Sequence, residues 1–517
     1  GGWKVYEKTN PWNYKETLLK SSSEYKADDG FGTAVKLSYD GLLATVGSPF
    51  ANTTPYYSGG VEEVTGKVNV FNKDYAGNLL VGTSLIPKSG NAQVTTREYG
   101  SCVDQAVEKV AVGAPGSYGN IGLVYLYNRP AGTTDFEEPQ IIWSKDPTAT
   151  GDRFGSSVSL SEYGDWLYVG APGNDRVYVY GLNTHVSPEK DTVAINNRNT
   201  LRLSGNTAVF PGDFITYPVT GANANVISSG NTFVGSSWGS NIVVNTGVGF
   251  DTGNANANVS INSVDSTLYA TNLYSVSNIS NIRTSFTPTV SGQADSLLVR
   301  NSNRTFIPEL DYTLSGNVIT FTGNLSEDTY VITQAPYYVL SNIIQGETGS
   351  SFGSSMDSSL DGAQLGVGAP NANVFVSGQW IQGAGAVYVY DRVIEAFKTT
   401  GSITYTTTGT IDLVHKVQID GVTVEDYVPP TIGGTTLTFI NPPPIGKVVY
   451  IETNEFNLLE ELTGIDSLEG GNTAIQQGAA FGTDLTICSN NCAIYVGAPY
   501  YDNGTAYNTG AVWKFHN

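Results

Sequence analysis

One phrase, written five times, constrains this chain more than its length does. It opens on an aromatic–Gly pair, runs through a short polar middle and stops at Gly-Ala-Pro or a close variant. The copies are "FGTAVKLSYDGLLATVGSP" (Phe31 to Pro49), "YGSCVDQAVEKVAVGAP" (Tyr99 to Pro115), "FGSSVSLSEYGDWLYVGAP" (Phe154 to Pro172), "FGSSMDSSLDGAQLGVGAP" (Phe352 to Pro370) and "FGTDLTICSNNCAIYVGAP" (Phe481 to Pro499). A second phrase follows each after a variable loop: "GKVNVFNKD", "GLVYLYNRP", "DRVYVYGLN", "GAVYVYDRV" and "GAVWKFHN". After most of these comes a fourth apolar run, such as "PQIIWSKD" or "FNLLEELTG". Each unit therefore holds four short antiparallel strands. Four strands at a period of roughly fifty residues describe a propeller blade.

The residue types suit that placement. Phe31, Tyr99, Phe154, Phe352 and Phe481 are expected as apolar plugs between successive blades. Gly32, Gly100, Gly155, Gly353 and Gly482 leave room beside them for a neighbouring backbone. Pro49, Pro115, Pro172, Pro370 and Pro499 remove a donor and end the ladder. Alternation in "VYVY" lines both faces of the sheet, as stacked blades require.

These units resemble FG-GAP repeats, the blades of integrin-α-type β-propellers. The resemblance implies an all-β propeller of four-stranded blades, with five copies seen and six or seven blades if the chain continues. Many blades of that family carry a D-x-D-x-D-G calcium loop. Here the corresponding loops are "SYDG", "SEYGD", "SSLDG" and "SNN", too short and too poor in carboxylates to supply six to eight oxygens. No cofactor or metal is expected, with calcium kept as the alternative although the loops lack the Asp-rich motif.

The spacing of the phrases is uneven. Their prolines advance by 66, 57, 198 and 129 residues. Both excesses fall between strand three and strand four of a blade. The segments "FIPELDYTLSGNVITFTGNLSEDTYVITQ" and "VTVEDYVPPTIGGTTLTFINPPPIGKVVYIET" share one order: Asp-Tyr, turn, Gly, apolar-Thr-Phe, turn, alternating Val/Ile/Tyr. The alternation predicts half-buried strands in a small β-sandwich or barrel module used twice. The expected division is propeller blades over 1–182, an inserted β module over 183–285, a small β module over 286–338, a blade over 339–393, a second small module over 394–453 and a blade over 454–517. The ends, "GGWKVYEK" and "GAVWKFHN", both match strand three, so the chain is expected to continue beyond one or both of them.

The inserted modules, with "GDFITYPVTGANANV", resemble those of large virion proteins of tailed phages, in particular marine cyanobacterial myoviruses. That resemblance implies a non-enzymatic structural or assembly protein on a virion tail or surface, extracellular, with other virion proteins as partners. The alternative is an adhesin that attaches to a host-surface glycan or protein. A formal charge of −21 argues against nucleic acid, whose phosphates it would repel. No apolar run is long enough to suggest membrane insertion.

Catalytic motifs are not found. The three histidines, His185, His415 and His516, lie in no recognisable pattern. The loops between strands two and three carry aromatics (Tyr56, Tyr57, Tyr118, Trp380, Tyr500 and Tyr501) that are candidates for stacking on sugars or anchoring a protein. The same rings could instead cap the blades or touch neighbouring modules. Cys488 and Cys492 would sit on neighbouring strands of one hairpin; a disulfide there and two small buried thiols are equally compatible with the spacing.

Overall fold

The computed structural model describes residues 3–516 apart from 8–12, 19–27, 39–40, 52–65, 74–78, 88–95, 131–132, 134, 147–149, 184–188, 195–199, 206–207, 218–220, 235–236, 246–256, 263–271, 279–284, 289–295, 302–304, 323–324, 326–328, 335, 377, 412–416, 425, 429–433, 465–475, 489–492 and 503–506. The chain forms two compact units, residues 1–187 with 336–517, and residues 188–335.

The first unit is a β-propeller fold built from the repeated phrases. Blade one has Val35–Leu37, Leu43–Ser48, Lys67–Lys73 and Leu79–Leu85, paired in that order. Blade two has Cys102–Gln105, Lys109–Ala114, Leu123–Asn128 and Gln140–Ile142. Blade three has Ser157–Leu160, Trp166–Ala171 and Arg176–Asn183, and takes Tyr337–Gln345 as its fourth strand. Blade four has Ser355–Ser358, Gln364–Ala369, Ala386–Lys398 and Val448–Leu462. In blade five, Asp484–Ile487, Ala493–Ala498 and Ala511–His516 form a sheet. Trp3–Glu7 and Asn13–Leu18 pair as a separate hairpin. The long insertions thus enter between strands three and four of blades three and four.

Both ends of the repeated phrase have one physical reason. The N–H of Gly32, Gly100, Gly155, Gly353 and Gly482 donates to the carbonyl of Gly47, Gly113, Gly170, Gly368 and Gly497 of the same blade, at 2.9–3.0 Å. The first set holds φ between +85° and +93°, open to glycine and costly for other residues. The second set is extended, but a methyl group at Gly47, Gly113, Gly170 or Gly368 would collide with the carbonyl oxygen of Gly100, Gly155, Gly353 or Gly482 in the next blade. The aromatic beside this seam is buried in all five blades and packs edge-on against strand-three rings, as Phe154 does on Tyr178 with centroids 5.2 Å apart. Burial of such a ring contributes about 2–3 kcal/mol.

The two small modules share a topology. In the first, Ser285–Phe286, Val318–Phe321 and Tyr312–Ser315 form one sheet, while Thr329–Gln334, Leu297–Arg300 and Thr305–Phe306 join Glu189–Ala194 in another. In the second, Thr404–Ile411, Gly434–Phe439 and Tyr427–Val428 form one sheet, while Val417–Ile419 and Val422–Thr423 extend the blade-four ladder. Each has its own apolar cluster, around Phe321 and Tyr330 or around Phe439 and Ile451. The second unit also holds a closed six-stranded barrel: Thr200–Gly205, Ser237–Val244, Ala222–Val234, Phe214–Tyr217, Ala257–Asn262 and Asn272–Asn278.

Candidate functional site

Five residues past each aromatic stand Lys36, Asp104, Ser159, Asp357 and Thr486. They lie on the first strand of each blade, and these strands contact one another in succession. The register turns each side chain toward a neighbouring blade. Lys36 Nζ pairs with Asp104 Oδ1 at 2.9 Å. Asp104 Oδ2 accepts the N–H of Leu160 at 2.6 Å, and its Oδ1 accepts that of Gln105 at 2.8 Å. Ser159 and Ser358 share a hydroxyl hydrogen bond of 2.9 Å. Asp357 Oδ2 accepts from the Thr486 hydroxyl at 2.7 Å and from the N–H of Ile487 at 2.9 Å.

Lys36 also reaches from blade one to blade four, where its Nζ lies 3.6 Å from Asp357 Oδ1. A network from the inner strands of all five blades thereby converges on one ammonium. Asp104, and then Asp357, hold that ammonium well above the usual lysine range, against the opposing effect of burial. The Asp104 side chain is 3% exposed and that of Asp357 13%, whereas that of Lys36 is 38% exposed. Sequence reasoning missed this cluster. The signal was present as a fixed offset from the aromatic, but its chemistry changes from blade to blade.

A second polar seam lies three residues past the aromatic. There Cys102 Sγ donates to Gly155 O at 3.0 Å, Ser157 Oγ to Gly353 O at 2.6 Å and Ser355 Oγ to Gly482 O at 2.9 Å. Burial pushes the Cys102 thiol up to about 12, so it stays protonated and can donate.

Among the described residues, the aromatics singled out from sequence do not form one surface cluster. Trp380 is 64% exposed and packs on Phe375, with centroids 5.1 Å apart, at the tip of a hairpin. Tyr500 is 58% exposed. Tyr118 is half-buried edge-on to Trp143, because left-handed backbone at Tyr118 and Gly119 turns the ring back onto the blade. Tyr501 is half-buried against Trp513. Tyr56, Tyr57 and Cys492 lie outside the described residues. Cys488 Sγ accepts the N–H of Ala493 at 2.9 Å. Of the strand-ending prolines, Pro49 and Pro115 are buried, Pro172 and Pro370 half-buried, and Pro499 exposed. Among the described residues, no group of three or more His, Cys, Asp or Glu comes together to hold a metal ion.

No family model matches the chain, and no curated protein matches it. Solved structures do. The periplasmic gluconolactonase PpgL of Pseudomonas aeruginosa matches over 99% of this chain and 92% of its own, at 10% identity and a TM-score of 0.27. A candidate 6-phosphogluconolactonase of Bacteroides uniformis matches over 70% and 81%, at 10% identity and a TM-score of 0.21. One from Bacteroides fragilis matches over 73% and 83%, at 11% identity and a TM-score of 0.22. These findings correct the expectation of a phage virion protein: no sequence relative links the chain to tailed phages, and these neighbours carry lactonase names. The non-enzymatic virion scaffold, its adhesin alternative and the exclusion of enzyme activity are withdrawn with it. The modules on which the resemblance rested are small β folds defined by alternation and turns, a pattern many β proteins share. At these identities and scores the likenesses assign no activity or substrate to this chain.

Proposed function

We propose that this protein binds a small, uncharged, hydroxyl-rich molecule, such as a sugar or sugar lactone, at the Lys36–Asp104–Asp357 cluster. The observation that carries this reading is the place of Lys36: its side chain is 38% exposed, and its ammonium lies 2.9 Å from Asp104 and 3.6 Å from Asp357. An ammonium has three N–H donors. Asp104 engages one of them at 2.9 Å, which leaves donors for a ligand oxygen. Asp357 Oδ1, at 3.6 Å from the ammonium, retains capacity to accept from a ligand hydroxyl. One positive and two negative charges make the cluster net anionic, so it disfavours phosphorylated or carboxylated ligands.

The test is calorimetric titration of the whole protein with a panel of neutral sugars, sugar lactones and their phosphorylated forms. Saturable binding of a neutral member is expected, together with at least a tenfold loss in Lys36→Met and partial retention in Lys36→Arg. Binding that prefers the phosphorylated forms, or that Lys36→Met leaves unchanged, refutes the reading.

A further inference from the structure

The inner cluster divides into polar groups that are already engaged and groups that are not. Asp104 is engaged on both oxygens: Oδ1 accepts from Lys36 Nζ at 2.9 Å and from the N–H of Gln105 at 2.8 Å, and Oδ2 accepts the N–H of Leu160 at 2.6 Å. Ser159 and Ser358 are buried and bond to each other at 2.9 Å. Asp357 is engaged on one oxygen alone. Its Oδ2 accepts from the Thr486 hydroxyl at 2.7 Å and from the N–H of Ile487 at 2.9 Å. Among the described residues, its Oδ1 accepts no hydrogen bond, and the Lys36 ammonium stands 3.6 Å away, beyond hydrogen-bond reach. Lys36 keeps donors besides the one that Asp104 takes. A spare acceptor from blade four and a spare donor from blade one therefore lie 3.6 Å apart.

We propose that this pair selects a gauche vicinal diol: Lys36 donates to one hydroxyl oxygen, the hydroxyl on the neighbouring carbon donates to Asp357 Oδ1, and Thr486 is the positioning residue that aims Asp357. This rests on the neutral, hydroxyl-rich ligand proposed above and names the feature by which the site selects it.

The separation disfavours a single bridging hydroxyl. Two hydrogen bonds of about 2.8 Å that meet at one oxygen and span 3.6 Å subtend only about 80° there, well under the tetrahedral spread of its lone pairs and proton. Adjacent hydroxyls in a gauche arrangement set their two oxygens about a hydrogen-bond length apart. The path from ammonium to oxygen to oxygen to carboxylate then closes across 3.6 Å with both hydrogen bonds at ordinary length. A lone carbonyl oxygen can accept from Lys36 but has nothing to donate to Asp357. Hydroxyls on opposite sides of a ring reach one of the two groups and leave the other unpaired.

Thr486 acts through Asp357. It lies on the first strand of blade five, is exposed, and donates to the carboxylate oxygen that the ligand does not use. With the N–H of Ile487 on that same oxygen, it sets the plane of the carboxylate and leaves Oδ1 for the diol. Without the hydroxyl, Ile487 alone holds the carboxylate, and the group can turn.

The test is a ligand-observed NMR titration of the full chain with myo-inositol, followed by competition with two cyclohexanediols and with δ-valerolactone. One diol carries its hydroxyls cis on adjacent carbons, the other on opposite carbons of the ring. Saturable binding of myo-inositol is expected, and the adjacent diol should displace it at least fivefold more effectively than the opposite diol or the lactone. Thr486→Val, which removes the hydroxyl from an exposed side chain of the same shape, is expected to reduce that preference at least threefold, and Thr486→Ser to restore it. A Thr486→Val variant that keeps the full preference overturns the positioning role. Equal competition by the two diols, or by the lactone, overturns selection of a diol while Lys36-dependent binding of a neutral ligand still stands. Failure of myo-inositol to bind where a sugar lactone binds through Lys36 does the same. Absence of Lys36-dependent binding by every neutral ligand overturns both proposals.

Discussion

Gly170→Ala and Gly497→Ala place the same methyl on the same residue of two equivalent strands, with opposite consequences. At Gly170 the new carbon lies well inside the 3.0 Å that real Cβ contacts respect, against Gly353 O and Ser157 Oγ. Neither neighbour can swing away freely. The carbonyl belongs to the turn that seats blade four, and the hydroxyl donates to that same carbonyl at 2.6 Å. Relief requires blade four to move off blade three. Overpacking of this kind costs about 3 kcal/mol, and loss of the buried hydrogen bond adds about 1 kcal/mol. At Gly497 the nearest atom is 3.6 Å away. The residue does not hold a positive φ. The substitution there is expected within about 0.5 kcal/mol of neutral, leaning to stabilisation through the unfolded chain. For a unit spanning residues 1–187 and 336–517, an unfolding entropy near 2.1 cal/mol/K per residue makes 4 kcal/mol a loss of about 5 °C in Tm. Differential scanning calorimetry with urea titration measures both variants. Equal destabilisation, or an unchanged Gly170→Ala, would refute the account of the phrase as an inter-blade seam.

Cys102 is expected to resist a thiol-labelling reagent in the native protein and to react on unfolding; rapid native labelling would contradict its role as a protonated donor. Asp484 holds its proton more tightly when folded than at its ordinary value of 3.8, so its contribution to stability is present below that pH and lost as pH rises through the raised value. Asp484→Asn should therefore gain stability over the parent at pH 7 and converge with it toward about pH 4, as urea midpoints across pH would reveal. Phe352→Ala removes a fully buried ring and should lower stability by about 3–5 kcal/mol, while Trp380→Ala, on an exposed hairpin, should change it by less than about 0.5 kcal/mol.

The blade architecture was legible because the phrase is fixed by backbone contacts. A positive φ and a carbonyl packed on a bare Cα each accept little besides glycine, so Gly32 and Gly47 recur in every copy. The insertion points were legible for the same reason: the flanking phrases stay intact while the spacing changes. The inner cluster was not legible. Lys36, Asp104, Ser159, Asp357 and Thr486 share an offset but no chemistry, because each is chosen by whatever the neighbouring blade offers. Asp104 accepts a backbone N–H, Ser159 meets another hydroxyl and Lys36 spans two carboxylates. Which of the two roles left open for Tyr118 its ring fills was not legible either, because its contact with Trp143 depends on a left-handed turn that a single sequence does not announce.

The insertion in blade four extends the blade itself. Ala386–Lys398 and Val448–Leu462 remain paired from the blade core out to the module, from Val387 with Leu462 to Lys398 with Val448. The register shifts between Val389 and Tyr390 and again between Arg392 and Ile394, where the ribbon leaves the blade. Bulges bend and twist a ladder without breaking it. Arg392 sits at that bend, buried, with its guanidinium carbon 3.3 Å from the Trp166 ring centroid and 4.7 Å from that of Phe456. Its Nη2 donates to the Tyr168 hydroxyl at 2.8 Å and to Gly362 O at 3.2 Å. Trp166 and Tyr168 belong to blade three, Gly362 and Phe456 to blade four. A planar cation that stacks on two rings and donates in its own plane fixes both the tilt and the roll of the ribbon, a geometry lysine cannot reproduce. The second module is therefore held by a braced two-stranded arm, and its direction is set by the same contact between blades three and four that the glycine seam enforces closer to the axis.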